Sequence, residues 1–314
     1  MVWIKTNIKV NNLQYEAIAP LIVSASRATD IPAFFAREFM QAIERGYIYK
    51  TNPFNHKKHL ISFSNTRLIV FWTKNPAPIM PYLNELDKKN INYYFQFTLN
   101  DYAEDGLEPF VPKLIKRIET FKKLSKRIGK GKVIWRFDPV LLLKNQKTGT
   151  IVKRIDNIAN ELSQDTEKLV FSFADLSYRK VQNNLKRAGI EYHDFTDKEK
   201  LTFATELVNQ IGKYKLKIAS CAQKIDLQHL GITYNKCIDD ELIVNLFPRD
   251  KVLMDFIKPN LGTNKLKDKG QRKHCNCIYS KDIGAYNTCS FLCNYCYANT
   301  SSKMVEKNKT KIFN

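Results

Sequence analysis

Six short runs rich in β-branched and aromatic residues recur along the chain: Leu21 to Arg27, Leu68 to Lys74, Tyr93 to Asn100, Val133 to Val140, Leu169 to Leu176 and Leu216 to Gln223. Helix-patterned sequence lies between them, and each gap is long enough for a crossover helix. Such a rhythm predicts βα units and a parallel sheet. After the first run, Thr29-Asp30-Ile31-Pro32 supplies capping residues and an early proline, and Phe35, Phe39 and Ile43 carry a helix to Gly46. Asn75-Pro76 and Asp138-Pro139 stop their strands, because a proline lacks the N–H that a ladder needs.

The polar residues inside these runs say what the sheet encloses. Ser24 and Ser26, Trp72 and Lys74, Gln96, Thr98 and Asn100, and Arg136 and Asp138 each alternate with period two, which sends each set to one face of its strand. They sit toward the C-terminal ends of the runs. A sheet buried on both faces would read as nearly continuous Val, Ile and Leu, whereas a barrel that holds a substrate needs polar side chains at its mouth. The expected fold is therefore α/β, a partial (β/α)6 TIM-like barrel over residues 1–239. From about Asp239 the pattern becomes mixed, and from Lys265 it turns polar, basic and rich in cysteine. Residues 240–314 are expected to form a cysteine-rich, iron–sulfur-binding extension packed on the barrel mouth.

Of the 314 residues 44% are hydrophobic, and 11 Gly and 11 Pro are too few for a low-complexity polymer, so a folded core is expected. The N-terminus has no uninterrupted apolar stretch, and nothing approaches the ~18 apolar residues of a membrane span. A cytoplasmic protein with no membrane partner is the expectation. The formal charge of +20 favours anionic partners. Between Lys113 and Lys132 nine Lys or Arg accompany one acid, Glu119, while Leu114, Ile118, Phe121 and Ile128 form a helical stripe, so the charges are expected on the outside of an amphipathic helix.

Five of the seven cysteines fall between Cys275 and Cys296, the distribution of a metal site rather than a disulfide framework. Cys289, Cys293 and Cys296 place three thiolates on one short loop. Thiolates are what an iron–sulfur cluster requires, and three of them on a four-iron cubane leave one iron open to a substrate or cofactor. Zinc is the competitor, but a structural zinc wants four closed ligands, and only Cys293 and Cys296 have the Cys-x2-Cys spacing. The remaining Cys221, Cys237, Cys275 and Cys277 make the closed-shell count for a second [4Fe–4S] cluster or a zinc, with iron–sulfur ahead. Cys221 and Cys237 could instead be buried apolar fillers.

The segment Cys289-x3-Cys293-x-Tyr295-Cys296 resembles the radical S-adenosylmethionine (SAM) signature. The chain as a whole resembles the DUF1848 family through Ser24-Ala25-Ser26-Arg27-Ala28-Thr29-Asp30-Ile31-Pro32-Ala33, Trp72-Thr73-Lys74-Asn75-Pro76, Arg136-Phe137-Asp138-Pro139 and Gly270-Gln271-Arg272. The resemblance implies a radical SAM enzyme whose [4Fe–4S] cluster cleaves SAM reductively to a 5′-deoxyadenosyl radical, fed by a low-potential donor such as ferredoxin or flavodoxin. In that scheme Lys74 or Arg136 pairs with the methionine carboxylate, Thr73, Asn75 or Ser172 bonds the ribose or amino group, and Tyr295 lies near the adenine. Arg27, Asp30, Arg136 and Asp138 are the candidates for substrate contact and catalysis. Two departures stand out. The three cysteines follow the last barrel strand rather than the first, which requires barrel closure to bring the loop to the first strand, and no Gly-Gly-Glu-like stretch follows the second strand. Arg-x-Asp-Pro is loosely similar to spore photoproduct lyase, which acts on DNA, so nucleic acid is one expected substrate class. The other class of function is non-enzymatic: an iron–sulfur or zinc protein that binds nucleic acid or a partner through its basic surface.

Overall fold

Each of the six β-rich runs forms a strand of one sheet in a computed structural model that describes residues 3–52 and 57–313. They are β1 (Ile22–Ala25), β2 (Leu68–Thr73), β3 (Asn92–Thr98), β4 (Val133–Val140), β5 (Lys168–Phe173) and β6 (Lys217–Ser220). Two short edge strands complete the sheet, β7 (Thr233–Tyr234) beside β6 and β8 (Lys281–Asp282) beside β1. The order is β7-β6-β5-β4-β3-β2-β1-β8 and every pairing is parallel.

Crossovers run through α1 (Ala36–Arg45), α2 (Leu83–Lys88), α3 (Leu114–Ile128), α4 (Thr148–Leu162), and the pair α5 (Arg179–Arg187) and α6 (Asp197–Ile211). The six main strands add in sequence order, so right-handed crossovers return each helix to the same side. One face of the sheet, carrying Val23, Phe71, Phe95, Trp135 and Phe171, packs on these helices. The other face presents Ile22, Val70, Tyr94, Ile134, Val170 and Ala219 to Ile238, Ile243, Leu253, Ile257 and Ile278 from the C-terminal part of the chain. The fold is thus α/β with a large parallel sheet. That sheet is open, with β7 and β8 as unpaired edges among the described residues.

Asp30 caps the helical turn Ile31–Phe34 by accepting from the N–H of Ala33 at 3.0 Å, and Gly46 closes α1 in the left-handed region at φ 89°. In α3 the stripe of Ile118, Phe121 and Leu124 is buried. One of its charges is not outside as expected. Arg117 is 2% exposed, donating to the carbonyls of Pro112 at 2.8 Å and Asn100 at 2.8 Å. A long side chain on the flank of the apolar stripe can reach the unpaired carbonyls below the helix start, and that outweighs its desolvation.

A four-stranded sheet, not among the expected elements, precedes and interrupts the βα series, in the order Lys5–Val10, Leu13–Ile18, Lys58–Ser62 and Tyr47–Thr51. Its first hairpin turns at Asn11 and Asn12, with φ of 47° and 67°, the geometry of a two-residue turn with both central residues left-handed.

Candidate functional site

The cysteine loop reaches the first strand by way of β8. Lys281 and Asp282 pair with Val23 and Ser24, and the N–H of Ile283 donates to the carbonyl of Ser24 at 3.1 Å. Ser24 and Ser280 share a 2.7 Å hydroxyl bond, and Asp282 Oδ2 accepts from the N–H of Arg27 at 2.9 Å. Beyond the strand, the Thr29 hydroxyl donates to Ala285 O at 2.6 Å and also meets the Thr288 hydroxyl. The expectation that barrel closure would carry the loop from the last strand to the first is therefore corrected. β6 lies toward the opposite edge of an open sheet, and the loop arrives on its own edge strand.

Within the loop, Cys293 is buried and Cys289 and Cys296 are half-buried. Carbonyls on either side of the thiols are tied down: Asn299 Nδ2 donates to Cys289 O at 2.7 Å, and Asn184 Nδ2 to Cys296 O at 2.9 Å. Asn294 bonds to the loop after β3, its N–H to Leu107 O at 2.9 Å and its side chain to Gly106 O at 2.7 Å. Phe291 anchors the loop edge-on against Phe34 with ring centroids 4.5 Å apart. Burial pushes all three thiols up, Cys289 to about 12, with the nearby Asp30 adding to the effect there. The protein alone keeps them as neutral thiols, so the charge of a bound metal is what would ionise them. On donor chemistry the three fit a soft metal centre.

Next to the loop stands a buried polar network. Lys74 Nζ lies 2.7 Å from Glu108 Oε1 and 2.9 Å from the Tyr295 hydroxyl, which itself donates to Glu108. Asn100 Nδ2 reaches Glu108 at 3.1 Å and Tyr295 at 3.2 Å, and Arg117 Nη1 faces the other Glu108 oxygen at 3.6 Å. Burial alone would raise the Glu108 carboxyl, but Lys74 and Arg117 hold it below its ordinary range. Tyr295 therefore sits on a carboxylate with its ring 5.5 Å from the Lys74 ammonium, and burial drives its hydroxyl well above the usual tyrosine range.

The other candidates fall into two places. Asp30 accepts from the N–H of Lys74 at 2.6 Å, and burial lifts its carboxyl to about 7. Thr73 Oγ1 accepts from the N–H of Asn75 at 2.9 Å, and Asn75 Oδ1 from that of Ala77 at 3.2 Å, so both side chains serve the turn after β2. Farther along the sheet, Arg136 forms an ion pair with Asp138, whose second oxygen accepts from the Ser172 hydroxyl. Asn100 links the two places, accepting from the N–H of Asp138 at 2.9 Å.

Arg136 also leads to the remaining cysteines. Its Nη1 lies 3.1 Å from Cys237 Sγ and 3.2 Å from Gln96 Oε1. Cys221 and Cys237 have their sulfurs 3.6 Å apart, and Cys277 Sγ accepts from the N–H of Cys237 at 3.2 Å. Arg27 faces the same group. Burial works against its cation, yet Cys277, Asp282, Cys237 and Cys275 hold it firmly charged. Its guanidinium stacks 5.0 Å over Trp72, and its Nη2 has no hydrogen-bond partner. Among the described residues no three or more His, Cys, Asp or Glu side chains converge on a single metal-ion position.

Glu108, Asn100, Arg117, Thr29, Thr288 and Asp282 hold the loop and its network in place without having been expected as site residues. Asn100 was visible as a strand-end polar residue. Glu108 lies in an irregular loop where no periodicity marks it as buried.

The family model for a domain of unknown function, DUF1848, matches residues 22–298. The chain belongs to the DUF1848 family. The matched region contains the whole parallel sheet, both groups of cysteines and the Lys74–Glu108–Tyr295 network. No curated protein and no solved structure matches the chain. No helix among the described residues is long and apolar enough to cross a membrane.

Proposed function

We propose that this DUF1848 protein is an iron–sulfur enzyme of the radical SAM kind, with Cys289, Cys293 and Cys296 as the ligands of a [4Fe–4S] cluster. The observation that carries the proposal is the position of the three-cysteine loop, held at the C-terminal end of β1 beside a half-buried lysine and a buried carboxylate and tyrosine. The C-terminal ends of parallel strands are where βα folds build their active sites. The sequential strand order, with crossover helices on one face, supports the finer description of the sheet as an incomplete (β/α)6 barrel.

Cys289, Cys293 and Cys296 would hold the cluster, which when bound would pass one electron from an external donor to SAM and so supply its cleavage to methionine and a 5′-deoxyadenosyl radical. The chain's own residues bind and orient. Lys74, fixed by Glu108 and Tyr295, offers a cation beside the loop for the methionine carboxylate. Arg136, Asp138 and Ser172 form the second polar group at the strand ends, suited to holding the substrate or the ribose. Phe34 packs on Phe291 and anchors the loop. A low-potential donor of the ferredoxin or flavodoxin kind is required, and the reducing cytoplasm suits seven free cysteines. Lys180, close over the Tyr286 ring, and Arg272, half-exposed beside Asp175, favour an anionic substrate, nucleic acid among them.

The test is anaerobic reconstitution of the full chain followed by incubation with SAM and a strong reductant. 5′-Deoxyadenosine should form with the wild type and not with C289A, C293A or C296A. A reconstituted wild type that forms none would sink the proposal and favour a non-enzymatic scaffold, which would keep its ligand binding after oxygen has bleached any cluster.

A further inference from the structure

Four cysteines outside the loop lie in one buried cluster on the second face of the sheet, drawn from three distant segments: Cys221 at the end of β6, Cys237 beyond β7, and Cys275 and Cys277 before β8. We infer that these four form a second, separate metal site, a tetrathiolate centre for one thiophilic ion of the zinc type. It does not rest on the reading of the Cys289 loop.

Two independent features carry the inference. One is spacing. Ligands about 2.3 Å from a tetrahedral zinc stand about 3.8 Å from one another, and Cys221 and Cys237 are 3.6 Å apart. A four-iron cubane holds its cysteines much farther apart, so this edge suits a single ion. Cys277 continues the group, touching the backbone of Cys237, and Cys275 follows two residues away. Ligation requires the Cys275 and Cys277 thiols to turn toward that edge. All four residues are buried.

The second feature is the set of donors aimed at sulfur. Cys237 Sγ is met by Arg136 Nη1 at 3.1 Å and Asn235 Nδ2 at 3.4 Å. Cys277 Sγ accepts from the N–H of Cys237 at 3.2 Å and from that of Ile238 at 3.5 Å. Donors and a guanidinium collected around buried sulfur are the kind of outer-shell bonds that orient metal ligands. Arg27, with its unpartnered Nη2, adds a second cation facing the group. A tetrathiolate with a divalent ion carries two negative charges, which two guanidinium groups offset.

Such an ion would fasten the segment that covers the second face of the sheet and, through Cys275 and Cys277, fix the approach to β8. The test is metal and sulfide analysis of anaerobically purified full-length protein. The triple variant C289A/C293A/C296A should retain one zinc per chain and no acid-labile sulfide, and adding Cys277→Ser should remove the zinc. Wild-type protein gives a measurement that does not depend on a variant folding: titration with a mercurial should release one zinc to a chromophoric chelator, and cobalt exchanged in its place should show intense thiolate-to-metal absorption. Absence of zinc from the wild type, or a Cys221–Cys237 disulfide in its peptide map, would overturn the site. Iron with sulfide in the triple variant would overturn the single-ion assignment. Failure of the loop proposal would look different, as wild-type protein that retains zinc but takes up no iron.

Discussion

Gly284 passes so close to Ser26 that a Cβ on the glycine would stand 1.7 Å from the serine Oγ and 2.6 Å from its Cβ. Ser26 cannot swing aside freely, because its Oγ accepts from the N–H groups of Ala28 at 3.0 Å and Thr29 at 3.3 Å. This approach sets how tightly the cysteine loop sits on β1. Gly284→Ala should cost about 1–3 kcal/mol by overpacking and reduce the iron retained after reconstitution, read by urea denaturation and iron content. Wild-type values for both would mean that the close approach is not needed.

Buried Glu108 faces two cations, half-buried Lys74 and buried Arg117, whose side chains are 14% and 2% exposed. Removing one partner of a buried pair leaves uncompensated charge and costs about 3–5 kcal/mol. Glu108→Ala should show that loss in urea denaturation, whereas Glu119→Gln, at an exposed pair with Lys116 on α3, should change stability by less than about 1 kcal/mol. Equal effects of the two variants would mean that the network does not hold the site together.

Glu199 gives an acid-limb prediction at the start of α6. Bonds from His193 and Thr196 hold its carboxylate down at about 2, against 4.5 when free. Between these two values the unfolded chain binds a proton that the native chain does not, so stability rises with pH there and is lost as pH falls. Glu199→Gln should destabilise the protein at pH 6 and match the wild type more closely near pH 2.5, read as the difference in urea midpoints. A difference that stays constant across that range would contradict the depressed value.

Binding of a single-stranded oligonucleotide should weaken steeply with salt if the basic groups near the loop pair with phosphates. Each phosphate left without its cation lowers the slope of log affinity against log salt by about 0.7 for a single strand. Lys180→Ala with Arg272→Ala should therefore flatten the slope by about 1.4 by the same rule, measured by fluorescence anisotropy. A flat response in the wild type would exclude nucleic acid as the substrate class.

The six main strands were legible because their β-branched and aromatic runs are buried in a parallel sheet, where periodicity and tertiary environment agree. β8 was not. It has only two residues, Lys281 and Asp282, and is a strand because β1 offers a free edge, a fact no local propensity records. The hairpin at Asn11 and Asn12 carries a turn signal in the sequence, two asparagines between alternating runs, but its strands are short and largely exposed, so no buried stripe marks them. Charge counting placed Arg117 outside α3, since a count cannot tell which cation finds carbonyls to bond. The cysteines divide by sequence into a loop of three and a remainder of four. That Cys221 and Cys237 stand 3.6 Å apart depends on how the chain after β6 folds back over the sheet.

The most direct test of the central claim is electron paramagnetic resonance of the reduced, reconstituted protein with and without SAM. An open iron held by Cys289, Cys293 and Cys296 predicts a [4Fe–4S] signal whose g-values shift when SAM is added, absent from the triple Cys→Ala variant. A signal that SAM leaves unchanged, or one that survives loss of the three cysteines, would contradict it.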